Sequence, residues 1–201
     1  MKPLAENLRP QILDDFFGQS HLLSDSHPLK QAIDRQQLHS MILWGPSGTG
    51  KTTLARIIAS QVDGHFAQMS AVLDGVKELR AVVENAKKFQ NIGQKTILFV
   101  DEIHRFNKAQ QDGFLPHIES GLITLIGATT ENPSFELNRA LLSRLSVYVL
   151  NPLSAQELSQ ILDRALAHEQ LEINDKEVSA QIINASIGDA RRLINIVEQI
   201  A

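Results

Sequence analysis

Eight consecutive residues, Gly45-Pro46-Ser47-Gly48-Thr49-Gly50-Lys51-Thr52, carry the clearest chemistry in this chain. They fit G-x-x-x-x-G-K-[ST], a glycine loop whose backbone N–H groups cradle phosphates. The preceding run, Ser40 to Trp44, reads as a buried strand. The segment Thr53 to Ala59 reads as a helix, with Leu54, Ile57 and Ile58 at helical spacing. A strand, a glycine loop and a helix N-terminus together direct N–H groups and positive potential at one anion. Lys51 is expected to reach the β- and γ-phosphates, and Thr52 to ligate Mg²⁺ through its hydroxyl. The ligand class this implies is a nucleoside triphosphate, with Gly45 to Thr53 as its binding segment.

A second constellation follows the apolar run Thr96 to Val100, where Asp101-Glu102 ends what reads as a strand covered on both faces. A carboxylate at that position, downstream of a phosphate loop, is where the second Mg²⁺-holding group belongs. Asp101 is therefore read as a metal ligand, and Glu102 as the base that polarises an attacking water. In isolation an Asp-Glu pair is most often a solvated turn. The glycine loop upstream and the apolar run before it reverse that reading. Asp101-Glu102-Ile103-His104 also spells D-E-x-H, as in superfamily 2 helicases. Such helicases need a second nucleotide-binding domain, and the residues after 151 form only a short helical stretch, so His104 is expected to be a switch or surface residue.

The elements that must hold these groups alternate. Helices are expected over Pro28–Gln36, Val76–Phe89, Asn107–Ile118 and Ser134–Leu145. Strands are expected at His65–Met69, Thr96–Val100, Ile123–Ala128 and Val147–Leu150. That order predicts a doubly wound α/β core with a parallel sheet. Thr129-Thr130 would then end a strand beside both the glycine loop and the Asp101-Glu102 turn. From Pro152 the character changes to small helices. Ser154-Ala155-Gln156-Glu157 is a capping box, with Leu153 and Leu158 placed as a hydrophobic staple. Asn174 is read as the cap of a second helix, and Gly188-Asp189-Ala190 leads into a third. The expected division is an α/β domain over 1–151 and a small all-helical lid over 152–201.

Composition narrows the setting. With 201 residues, 43% hydrophobic and 21% charged, the chain suits one globular core with a small appendage. Absence of cysteine rules out disulfides, thiolate metal sites and cysteine nucleophiles, which suits the cytosol. Neither a signal-like apolar N-terminus nor an apolar run of ~18 residues occurs. The net charge of -4 does not mark the whole surface as a nucleic-acid binder, so any DNA contact must come from a local basic face.

On these motifs and on several longer runs, the sequence resembles the AAA+ ATPases of the clamp-loader and RuvB branch, most closely the replication-associated recombination protein A family. The likeness runs through Leu8-Arg9-Pro10, Phe17-Gly18-Gln19 and Leu38 to Pro46. It continues through Phe99 to Gln111, Gly127 to Phe135 and Leu141-Leu142-Ser143-Arg144. The resemblance implies a P-loop AAA+ core and a DNA-dependent ATPase at replication forks, taking part in replication, recombination and repair. It implies Thr130 as sensor 1, with Thr129 its rival, and Arg144 as an arginine finger acting on a neighbouring subunit. Arg191 is similar to sensor 2, reaching the γ-phosphate from the lid. Arg9-Pro10 and Phe17-Gly18-Gln19 correspond to segments that enclose adenine, and Arg80 to a position facing DNA. Implied partners are forked or single-stranded DNA, further copies of the chain and possible fork proteins such as single-stranded-DNA-binding protein. Family members continue past the lid into a C-terminal region associated with tetramers, which this sequence lacks. Two alternatives stay open: a nucleotide-gated binding module with little turnover, and a clamp-loader or RuvB-like subunit. The missing zinc-binding cysteines weigh against the clamp loader.

Overall fold

A computed structural model describes residues 2–62 and 64–201. Five strands form one sheet: β1 (Met41–Trp44), β2 (Gly64–Ser70), β3 (Lys95–Asp101), β4 (Ile123–Thr129) and β5 (Ser146–Val149). They are all parallel and lie in the order β2-β3-β4-β1-β5. The consequence for the site is that β4 runs between β1, which feeds the glycine loop, and β3, which ends in Asp101. Register places Trp44 beside Thr129 and Val100 beside Gly127, so three chemical segments leave the same edge of the sheet.

Strand side chains alternate between two apolar layers, as the period of two demands. Met41, Leu43, Ile97, Phe99, Ile126 and Ala128 pack with Leu54, Ile58, Leu29 and Ile33 on one face. Ile42, Leu98, Val100 and Leu125 pack with Leu79, Val83, Phe114 and Leu141 on the other. This is why β3 and β4 read as unbroken apolar runs. Full burial of one such Leu or Ile contributes about 1.5–3 kcal/mol before entropy is counted. The doubly wound core expected from the alternation of elements is present.

Three helices, Ala155–Glu169, Lys176–Ser186 and Ala190–Ile200, complete the chain. Their core contains Leu158, Leu162, Leu166, Ile182, Leu193 and Val197, and it also takes in Leu4 and Leu8 from the N-terminus. The Leu4 amide donates to Glu198 Oε1 at 2.8 Å. The N-terminal segment is thus packed on the helical unit while its next residues reach the α/β core. The capping box at Ser154 is formed: Glu157 N donates to Ser154 Oγ at 3.3 Å and Ser154 N to Glu157 Oε2 at 2.7 Å. Leu153 and Leu158 share the core below it.

Local chemistry overrides the helical periodicity at three places. The helix expected over 107–118 is two, Lys108–Asp112 and Leu115–Glu119. Pro116 has no N–H for the Asp112 carbonyl, and its ring would crowd it, so the helix restarts. The helix expected over 134–145 is likewise Pro133–Glu136 and Arg139–Leu142, because Asn138 turns extended and caps the second through Leu141 N at 2.6 Å. Asp175, rather than Asn174, caps the next lid helix, accepting from Glu177 N at 2.7 Å.

Candidate functional site

The glycine loop is shaped by backbone that side chains would obstruct. Gly48 and Gly50 have φ of +67° and +99°, and a Cβ on Gly50 would press within 2.6 Å of the Phe16 ring. The helix Lys51–Gln61 starts at the motif lysine itself, so its free N–H groups face into the loop. Lys51 is 8% exposed, and its Nζ donates to the carbonyls of Gly45 and Pro46, each at 2.7 Å. Burial pulls the Lys51 pKa below the ordinary lysine value, and the carboxylates of Glu102 and Asp101 oppose that shift.

Lys51 opens onto a cavity of about 500 Å³, within the usual size of a small-ligand site. Ser47 through Thr53 line it, with Asp101, Glu102, Thr130 and Arg191. Leu8, Pro10, Phe16, Phe17, Ile161 and Ile194 add apolar lining. A cavity that combines a glycine loop, charged groups and apolar side chains has the chemistry to take both phosphates and a base. Gly45 and Pro46 do not line the cavity; they hold Lys51. Arg9 donates to Thr53 Oγ1 at 3.2 Å and to Glu6 Oε2, so it anchors the apolar wall to the phosphate-loop helix.

Glu102 sits at φ 52°, a left-handed conformation rare for a side-chain-bearing residue and costing on the order of 1–3 kcal/mol. Thr130 Oγ1 lies 3.5 Å from Glu102 Oε2. Thr129 is fully buried and turned away from the cavity, its hydroxyl accepting from Glu131 N at 3.0 Å and lying 2.9 Å from His104 Nδ1. His104 is itself half-buried, with Nδ1 3.4 Å from Glu102 Oε2, so it flanks the acidic turn instead of facing solvent as a surface residue.

Arg191, at the start of the helix Ala190–Ile200, is exposed and lines the cavity. Arg144 is elsewhere: exposed, paired with Glu119 and donating to the Ala140 carbonyl at 2.8 Å, it lines no part of this cavity. Arg80 is also exposed.

Of the segment Phe17-Gly18-Gln19, expected to enclose adenine, Phe17 lines the cavity and Gln19 does not. Gln19 is buried instead, its amide donating to the Asn151 carbonyl at 2.8 Å and accepting from Asn151 N at 2.9 Å. Two supporting residues were not assigned their places from sequence. Phe16 supplies the ring against Gly50, and Asp189 lies on the glycine loop. The aromatic pair Phe16-Phe17 is the one local hint for the first, and nothing local marks Asp189.

The sequence pattern of the ATPase family associated with various cellular activities (AAA) matches residues 41–153, more than half of the chain. The chain belongs to that family. Family membership implies nucleotide binding, and the glycine loop lies within the matched residues. This AAA protein is 55% identical over 205 residues to replication-associated recombination protein A of Coxiella burnetii, covering 99% of this chain and 46% of that one. It is 46% identical over 201 residues to the ATPase WRNIP1 of Dictyostelium discoideum, covering 98% of this chain and 23% of the relative. The chain therefore spans less than half the length of these relatives. Among solved structures it is similar to the Thermotoga maritima RuvB Holliday junction branch migration motor, with a TM-score of 0.81 and 33% identity over 96% of this chain and 65% of that one. The resemblance to replication-associated recombination protein A read from the motifs is thus matched by the sequence comparison, and RuvB is the more distant likeness. Among the described residues no helix is long and apolar enough to cross a membrane.

Proposed function

We propose that this AAA protein binds and hydrolyses ATP, and that the cycle drives a task on DNA in replication, recombination or repair. The observation that carries the reading is convergence: Lys51, Thr52, Asp101, Glu102, Thr130 and Arg191 leave four different elements and line one cavity together with apolar side chains. Names of relatives support the DNA assignment, since the Coxiella protein is named for replication-associated recombination and the Thermotoga structure for branch migration.

In this reading Lys51 and Arg191 face the charge on the terminal phosphate. Glu102 takes a proton from the attacking water as the oxygen bonds to the γ-phosphorus. The bond from that phosphorus to the β–γ bridging oxygen breaks, giving ADP and phosphate. Thr130 holds Glu102 or the water in line. The donor set fits Mg²⁺, a hard cation taking oxygen ligands, with the Thr52 hydroxyl and the Asp101 carboxylate as protein ligands. When bound, that ion neutralises phosphate charge. The helical unit from Pro152 acts as the lid that carries Arg191. Arg144, remote from this cavity and exposed, completes the site of a neighbouring copy, and so hydrolysis needs an oligomer.

Steady-state ATP hydrolysis by the purified chain tests this, with and without single-stranded and forked DNA, beside Glu102→Gln. Turnover stimulated by DNA and abolished in the variant supports the reading. A second reading, a nucleotide-gated binding module, is favoured by one observation: Arg144 is tied to Glu119 and cannot serve its own cavity. Tight ATP binding by a monomer without turnover would select it.

A further inference from the structure

The turn Gly188-Asp189-Ala190 is held on two sides. Ser47 Oγ donates to Asp189 Oδ2 at 2.9 Å, and the Ala190 amide donates to the Gly48 carbonyl at 3.1 Å. A Cβ on Gly48 would overlap the Asp189 carboxylate, so the acid rests directly on the crown of the glycine loop. On the far side the Leu153 amide donates to the Gly188 carbonyl at 3.1 Å, and Gly188 has no room for a side chain against Pro152. The next residue is Arg191.

We propose that Ser47 and Asp189 form a strut that positions Arg191 against the terminal phosphate, so that the phosphate loop itself sets lid closure. The inference rests on the reading of the cavity as an ATP site. A carboxylate this close to a phosphate-binding loop opposes an anionic ligand by charge alone. Asp189 also caps its helix, accepting from Arg192 N at 2.9 Å. Capping needs neither Ser47 nor proximity to the loop, and Asn or Ser would cap equally well. The contact across the two domains, through a charge-assisted hydrogen bond, serves a different end. In the ATP-site reading Arg191 faces the phosphate that ATP has and ADP lacks, and a lid that loses its strut should lose that discrimination first.

The test is the affinity of the purified chain for a non-hydrolysable ATP analogue and for ADP. Variants are Ser47→Ala, Ser47→Thr and Asp189→Ser, each alone and combined with Arg191→Ala. Ser47 is exposed, so its alanine variant should fold even if Asp189→Ser does not, and thermal melting verifies both. Ser47→Ala and Asp189→Ser should weaken the ATP analogue about three- to tenfold and ADP by less than about twofold, the range of one charge-assisted bond partly open to water. Ser47→Thr should restore the parental ratio, and neither loss should appear once Arg191 is alanine. Equal weakening of both nucleotides, or an unchanged ratio, overturns the strut and leaves the site reading standing. A parental chain that binds neither nucleotide overturns the site reading and the strut with it.

Discussion

Thr130 Oγ1 lies 3.5 Å from Glu102 Oε2, one residue beyond a threonine whose hydroxyl is spent elsewhere. The two neighbours differ in their partners: Thr129 is held by His104 and Glu131 and does not line the cavity, whereas Thr130 lines it. In the proposed mechanism, then, Thr130 and not Thr129 is placed to act on the water that Glu102 would activate. Thr130→Val should lower kcat on the order of 10- to 100-fold, the cost of a misplaced reactant, with ATP affinity near parental. Thr129→Val should instead destabilise by about 1–3 kcal/mol, because it orphans buried hydrogen-bond partners. Hydrolysis rates and thermal melts of the two variants distinguish the roles, and a reversed pattern would transfer the role to Thr129.

Lys51 makes a pH prediction whose sign is set by its burial. Desolvation lowers its folded-state pKa, with Glu102 and Asp101 pulling the other way. Charged Lys51 is therefore a cost to folding at neutral pH. Between the depressed folded value and the unfolded value near ~10.4, the unfolded chain binds more protons, and stability rises with pH. Lys51→Met removes the titration. Relative to that variant, the parental chain should gain stability as pH rises toward ~10. At pH 7 the variant should lose triphosphate binding, and with the Gly45 and Pro46 carbonyls left without their donor its own stability should change by no more than about 1–3 kcal/mol. Urea melts at several pH values, with a nucleotide titration at pH 7, measure both. A gap between the two proteins that stays flat with pH would mean Lys51 does not feel its burial.

Much of this arrangement is legible in the sequence because short-range rules decide it. The apolar runs of β3 and β4 are unbroken because both faces are covered, and Asp101 and Thr129 end them where polarity returns. Helix continuity was harder to read. Pro116 and Asn138 each break a run whose apolar spacing continues across the break, since packing tolerates two short helices where one was expected. Least legible are contacts between residues far apart in the chain. Ser47 meets Asp189 across 142 positions and Gln19 meets Asn151 across 132, and neither pair has a local pattern that would announce it. The first of them ties the helical unit to the glycine loop. The glycine loop, being wholly local, is the opposite case.

Glu6 joins the N-terminal segment to the core through two guanidinium groups. Its carboxylate accepts from Arg9 and, at 3.1 Å, from Arg56 on the phosphate-loop helix. The hydrogen bond from Arg9 is the main reason its pKa lies below the ordinary glutamate value, with Arg56 adding to it. A depressed acid contributes stability that is fully present above the unfolded value, near ~4.3, and lost as pH falls through the folded one. The side chain is 39% exposed, so solvent screens the pair and Glu6→Gln should cost only about 0.5–1 kcal/mol at neutral pH. That difference should shrink on acidification below ~4.3, and also in high salt. A difference that grows on acidification would show that Glu6 is not held as the anion.

Arg144 offers the sharpest test of a site shared between copies. It is exposed, paired with Glu119 and outside the cavity formed by its own chain, and the proposed mechanism has it act on a neighbour. Arg144→Ala should leave ATP binding unchanged and lower turnover on the order of 10³-fold or more, the range seen for fingers supplied in trans. Glu102→Gln should be equally inactive for a different reason. Mixed, the two dead proteins make some interfaces in which an intact Glu102, on the Arg144→Ala chain, meets an intact Arg144 on the other. If assemblies exchange subunits, turnover should reappear on mixing and rise with the fraction of such interfaces. Rescue needs the two functional groups to lie on different chains. If Arg144 acted within its own subunit, no mixture would contain a complete site, and the activity would stay at the level of the separate variants. Sizing the mixture alongside the assay ensures that oligomers are present when the rates are read.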